Sequence, residues 1–313
     1  MFSARVNKNS YSKYFRQCLK KWQLLAFIAI PLVYLIIYKY IPMFGIQLAF
    51  RDYKLKDGIW NSRWVGLQNF KDFFSSYYFG RVIKNTLLIS FYALFAGFPM
   101  PVIIALALNT MEMPKLKKGI ETLIYMPHFI STVVLVSILF QFFNVRIGVY
   151  GNVIRKLTGN YAVDILAKAT TFPHMYVWSG IWQNLGWDTI IYTAALSSVD
   201  MELHEAAEID GASRFQRVLH IDLPTIIPTM AILLILNSGH IMSVGFEKVY
   251  LMQTDTNLIL SEVISTYSYK IGLTGSFDFS YSTAISLFNS VVNMLMLLFV
   301  NRIVRAVSST SLF

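Results

Sequence analysis

Apolar residues run for about twenty positions at a stretch, six times along the chain: residues 24–41, 86–108, 122–143, 175–196, 225–246 and 284–304. Each run has roughly the length a helix needs to cross about 30 Å of hydrocarbon. None shows the alternation, about ten residues long, of a membrane β-strand. Backbone in hydrocarbon must satisfy its own hydrogen bonds, so the pattern predicts helices. The expected fold is all-α and polytopic, with six transmembrane helices in one domain spanning residues 1–313. No internal repeat or low-complexity tract interrupts it.

Composition supports the membrane reading. Hydrophobic residues make up 55% of the chain and charged ones 14%, where a soluble protein carries about a quarter of its residues as Asp, Glu, Lys and Arg. The mean hydropathy is +0.51. The net charge of +10 is what anionic headgroups favour, and no basic stretch is interleaved with the stacking aromatics of a single-strand binder. Nucleic acid is therefore not an expected partner. The one cysteine, Cys18, has no second thiol for an internal disulfide.

The first 22 residues hold Arg5, Lys8, Lys13, Arg16, Lys20 and Lys21 and no acid. The apolar run that follows is too long for a signal peptide and lacks a small-residue cleavage site, so it is read as an uncleaved first helix with a cytoplasmic N-terminal tail, residues 1–22. Six crossings then return the C-terminus to the cytoplasm. On this topology inside segments hold 13 of the 27 Lys and Arg residues and outside segments 14. The totals do not discriminate, and the acid-free tail sets the orientation. Three long outside connections, residues 42–85, 144–174 and 247–282, read equally as docking surface or as solvated linkers.

Residues 198–224, between the fourth and fifth runs, are the informative cytoplasmic loop. Asp200 is placed to cap a short helix with Glu202 in its first turn, and Gly211 to end it in a left-handed conformation. Ser213 and Gln216 then stand in the relation of a capping box, predicting a second short helix to about His220, with Pro224 opening the fifth span. Helices of about two turns are marginal alone and need a surface to pack on. Ala206 and Ala207 offer a small-residue patch flanked by Glu205, Glu208 and Asp210. An interfacial pair lying in anionic headgroups would carry bases instead.

Polar groups inside the spans must face a cavity or a partner, because burying them against lipid costs several kcal/mol. Gln183, Trp187 and Asp188 lie together on the fourth run, Asn237 and His240 on the fifth, and Asn289 and Asn293 on the sixth. Amides, an acid and an aromatic platform suit a sugar, whose hydroxyl edges alternate with C–H faces. The same residues also suit plain interhelical hydrogen bonding. Scattered Met reads as packing, and Tyr38, Tyr40 and Trp60 as interfacial anchors. The histidines at 128, 174, 204, 220 and 240 are dispersed, with no metal-ligand spacing.

Glu205-Ala206-Ala207, Asp210-Gly211-Ala212, Leu223-Pro224 and Pro228 resemble the E-A-A-x-x-D-G-A…L-P-x-x-x-P signature of permease subunits of binding-protein-dependent ABC importers. Trp64-Val-Gly-Leu-Gln-Asn-Phe70 resembles the segment after the first span in sugar permeases. Asn184-Leu-Gly-Trp-Asp188 and Ser243-Val-Gly-Phe-Glu-Lys248 are similar to the branch handling oligosaccharides and polysaccharides, although Gln253 to Asn257 departs from the Asn-Pro turn often found in relatives.

The resemblance implies a type I importer fold in a bacterial cell membrane, forming half of a carbohydrate pathway. It implies four kinds of partner: a second, non-identical permease, an ATPase dimer, an extracytoplasmic binding protein and the sugar itself. Glu205, Ala206, Ala207, Asp210, Gly211 and Ala212 would be the coupling helix seated in the ATPase. The chain has no G-x-x-x-x-G-K-[ST] phosphate loop, so ATP and Mg would belong to that partner, with no catalytic residue or cofactor expected here. The competing class is a proton-coupled secondary transporter using Asp188 or His240. Such carriers show paired inverted repeats and broken helices, and the sequence suggests neither.

Overall fold

Pro42 and Pro224 each stand inside a long helix that does not break. A proline cannot donate its backbone hydrogen bond, and its ring collides with the carbonyl four residues back. In both places a π turn, Ile36–Tyr40 or Val218–Asp222, precedes the proline. The residue just before each proline donates five residues back, Ile41 to Ile36 and Leu223 to Val218. The wider turn relieves the collision, and the helix runs on.

The structure, a computed structural model, describes residues 21–307. All but the last two residues of the basic tail, Cys18 included, lie outside them. Helix α1 runs Trp22–Phe50, with every residue from Trp22 to Phe44 exposed. Only its last turns meet the bundle. A two-stranded antiparallel ribbon follows, β1 (Arg51–Asp52) with β2 (Arg63–Trp64), Arg51 opposite Trp64. It is a small departure from the all-α expectation. Then come α2 (Gln68–Ser75), α3 (Phe79–Asn109), α4 (Pro114–Phe129), α5 (Thr132–Phe142) and α6 (Val149–Thr158). The second half comprises α7 (Phe172–Leu196), α8 (Met201–Ile209), α9 (Arg214–Ser238), α10 (Phe246–Met252), α11 (Ile264–Tyr269) and α12 (Phe279–Val307).

Three sequence expectations are corrected. The third run is not one rod: α4 and α5 meet at 99° across Ile130 and Ser131. Pro127 stiffens the end of α4, and the Ser131 hydroxyl accepts from Val134 N–H to cap α5 as a new helix. The fifth run is shifted: α9 starts at Arg214 and ends at Ser238, so Pro224 opens nothing and no separate helix ends at His220. Residues 239–245 leave the helix because Asn293 of α12 supplies the missing bonds, accepting from Met242 N–H at 2.8 Å and donating to Ser243 Oγ at 2.7 Å. Irregular backbone at this depth is tolerated where protein satisfies it. Of the two readings of the connection at 247–282, the solvated linker is the one that fails, since Val249, Met252, Val263, Ile264 and Tyr267 are buried in it.

Among the described residues, α1, α3, α9 and α12 are long and apolar enough to cross a membrane, with the bent pair α4–α5 a fifth candidate. The remaining expected span, α7, has 25 residues, and its polar side chains keep its hydropathy below theirs.

Burial falls into three clusters. Near the 198–224 loop, Val102 and Ala105 of α3 pack on Tyr192, Leu196 and Ile226. At the opposite end Phe73, Val82, Ile264 and Ile285 form one cluster, and Ile89, Val136, Phe172, Val249 and Val263 another. Asn85 of α3 donates to the carbonyls of Ile259 and Glu262, and Arg81 pairs with Glu262. These contacts fasten the 247–282 layer to the bundle.

Candidate functional site

Between the clusters, α3, α7 and α9 part around a cavity of about 420 Å³. Four of the expected path residues line it: Gln183 and Asp188 from α7, Asn237 from α9 and His240 from the turn beyond. Along a helix of 3.6 residues per turn, Gln183, Asn184 and Asp188 fall on neighbouring positions of one face, which gives α7 a polar stripe. Gln183 is also a tie, because its Nε2 donates to the carbonyl of Ile130 at 2.7 Å and so satisfies the break between α4 and α5.

The other three candidates do not line the cavity. The Trp187 ring stacks one face on His128 at 4.4 Å between centroids and 5° between planes, and remains half-exposed. Asn293 holds the 239–245 turn. Asn289 Oδ1 is buried with no hydrogen-bond partner. Asn184 and Lys248 line the cavity and were not singled out. Asn184 Oδ1 lies 3.1 Å from His128 Nδ1. Lys248 falls at the start of a connection that reads equally as docking surface or solvated linker, and it is 9% exposed. Its Nζ donates to the Tyr176 carbonyl at 2.9 Å and stands 4.9 Å from the Tyr176 ring. Burial lowers its pKa from the usual 10.5 to about 8.

At the other end of α7 the caps and turns of residues 200–216 have the geometry their punctuation predicts. The Asp200 side chain accepts from Glu202 N–H at 3.0 Å. Gly211 has φ +80°; Ala212 N–H donates to Ala207 O at 2.9 Å and Gly211 N–H to Glu208 O at 3.0 Å, the paired bonds of a Schellman ending. Both bonds of the Ser213–Gln216 box are made. Two contacts seat α8: His204 Nε2 stands 3.2 Å from Oδ1 of buried Asp222, and Arg217 bonds Glu208 at 2.7 Å. Glu205, Ala206, Asp210 and Gly211 remain exposed, with Ala207 and Ala212 half-buried. Ile209 and Phe215 add exposed apolar side chains beside them.

Residues 97–309 match the family described as binding-protein-dependent transport system inner membrane component. Protein LplB of Bacillus subtilis (strain 168) is 43% identical over 94% of this chain and 92% of its own length. The polygalacturonan/rhamnogalacturonan transport system permease protein YteP of the same organism is 40% identical over 87% of this chain and 84% of its own. In solved structures, a chain of a bacterial alginate ABC transporter, in complex with alginate pentasaccharide-bound periplasmic protein, superposes with a TM-score of 0.86. It is 36% identical, covering 95% of this chain and 99% of that one. A multi-pass chain with this fold, this cavity and these relatives belongs to the inner membrane components of binding-protein-dependent transport systems and is a permease of an ABC importer.

Proposed function

We propose that the chain forms half of the translocation pathway for a carbohydrate, an oligosaccharide delivered by an extracytoplasmic binding protein. The observation that carries this reading is the polar cavity between α3, α7 and α9 in a chain that matches an alginate importer along nearly its whole length. Gln183, Asp188, Asn237 and His240 are the hydroxyl-facing groups. Asp188 and His240 serve there as polar lining rather than as a proton relay. Trp187, Asn289 and Asn293 support the walls.

Energy reaches the chain through contact, since it carries no phosphate-binding loop. Glu205 to Ala212 seat in a groove of a separate ATPase dimer, which alone holds ATP and Mg; the permease itself catalyses nothing. A nucleotide can shift inward- and outward-facing states only through a contact that differs between them, and the loop is tied to α9 through Asp222. A second, non-identical permease closes the pathway, and both termini lie in the cytoplasm of a bacterial cell.

The test is reconstitution of the chain with its partner permease, ATPases and binding protein in proteoliposomes, with ATP-dependent uptake measured for a panel of labelled oligosaccharides. Uptake of one of them is the expected result. A binding protein that takes only amino acids or metals in calorimetry, with no sugar imported, overturns the carbohydrate assignment.

A further inference from the structure

Lys248 is a buried cation that faces the cavity with no carboxylate against it. Five ion pairs form among the described residues, and Lys248 is in none of them. Its two contacts, the Tyr176 carbonyl and the Tyr176 ring, position the ammonium without neutralising it. The arrangement is built. Gly245 N–H donates to Tyr176 Oη at 3.1 Å, which orients the ring. Opposite, Gly180 leaves the space the ammonium needs, for a Cβ there would stand 3.1 Å from Nζ. An ammonium taken out of water without a counter-charge is costly, and such a group gains most from an anion that arrives with a ligand.

The cavity's own acid does not fill that role. Asp188 lies on α7 eight residues beyond Gly180, roughly 12 Å along the helix axis at 1.5 Å per residue. The lining thus carries its positive charge at the end remote from the 198–224 loop and its negative charge nearer the loop. No arginine joins Lys248 in the lining. A phosphate or sulfate ester is characteristically met by a bidentate guanidinium or several cations, whereas one ammonium matches a singly charged carboxylate.

We infer that Lys248 is a recognition site for the carboxylate of a uronic-acid residue, so that the permease selects acidic oligosaccharides over neutral ones. The inference rests on the reading of the cargo as a carbohydrate. Asn237 and His240 also line the cavity and offer polar groups to hydroxyls of the next sugar units.

The experiment uses the whole reconstituted transporter and three forms of the permease: wild type, Lys248→Gln and Lys248→Arg. The probes are uronate trisaccharides and their carboxyl-reduced, neutral counterparts. Glutamine keeps a hydrogen-bond donor for the Tyr176 carbonyl and removes the charge. Losing a charge-assisted bond of about 1.5–3 kcal/mol corresponds to a fall of roughly tenfold or more in uronate uptake. Uptake of any neutral trisaccharide should change far less, and arginine should restore the uronate. Equal uronate uptake by wild type and Lys248→Gln overturns the inference, as does an equal fall for acidic and neutral probes or a wild type that imports neutral sugars only. In that last case the carbohydrate reading stands; if wild type imports neither class, that reading itself has failed.

Discussion

His204 Nε2 and Asp222 Oδ1 stand 3.2 Å apart, joining the middle of α8 to the π turn at the start of α9. Asn109, the last residue of α3, donates to the same carboxylate oxygen at 3.1 Å. One buried acid therefore gathers the exposed loop and two membrane helices into a single mechanical joint. Asp222 is 1% exposed, so removing its side chain strands two polar partners as well as cutting the link. Hydrogen bonds to charged groups contribute about 1.5–3 kcal/mol each. Asp222→Ala is expected to leave ATP hydrolysis running while transport per ATP falls several-fold, measured by uptake and phosphate release in the same proteoliposomes. Unchanged stoichiometry would detach the joint from coupling.

The loop was legible because its signals are local. Asp200, Gly211, Ser213 and Gln216 specify caps and turns through bonds within three or four residues of themselves, and all of these form. The boundaries that shifted depend also on distant residues. The end of α9 is set by Asn293, about fifty positions away, and the bend between α4 and α5 is held by Gln183 on α7. Hydropathy along the chain carries no trace of either. Lys248 shows the same limit: a charged residue beside Glu247 reads equally as docking surface or solvated linker until α7 and the turn at Gly245 close over it. The polar stripe of α7 was readable as a stripe, but which of its members faced the cavity and which were already engaged, as Trp187 is on one face by His128, depended on how α4 folds back.

Gly211 offers a second test of the loop. Its φ of +80° is a conformation that β-branched residues resist strongly. Nothing lies within 4 Å of a Cβ built there, so the cost of substitution is backbone strain alone and involves no collision. Gly211→Val should uncouple uptake from hydrolysis while insertion into the membrane stays normal, and Gly211→Asn, which tolerates positive φ, should be milder. Import at the wild-type rate by the valine protein would end the coupling assignment for this loop.

Glu205 and Glu208 are expected to behave differently although both lie on α8. Glu208 is engaged within the loop by Arg217 at 2.7 Å, so reversing it disturbs the loop's own fold. Glu205 is exposed and forms no ion pair among the described residues. Glu205→Lys therefore probes the external contact more cleanly. Recovery of the ATPase subunit with the affinity-purified permease should drop at low salt, and the gap from wild type should narrow at high salt, because charge interactions at an exposed site are screened. Undiminished co-purification would remove Glu205 from the interface.

Lys248 makes the uptake of an acidic substrate depend on pH in a direction that can be worked out. Burial lowers its pKa from 10.5 to about 8, so the ammonium is present below that value and is lost as pH rises through it. By the ordinary titration curve the charged fraction falls from about nine-tenths at pH 7 to about one-tenth at pH 9. A uronate carboxyl is ionised throughout this range, so only the receptor loses charge. The other titratable groups around the site are Tyr176, Asp188, Tyr192 and His240 in the lining, Tyr267 and Tyr269 on α11, and Glu247 and Tyr250 on α10; α5, packed against α10, brings none. Their contributions are shared by Lys248→Arg, whose guanidinium stays protonated far above this range. Uronate uptake by wild type should therefore fall several-fold between pH 7 and 9 relative to the arginine variant, while uptake of a neutral trisaccharide by the two proteins keeps a constant ratio. Parallel profiles for the uronate would mean that the charge of Lys248 takes no part in recognition, whatever its place in the cavity wall.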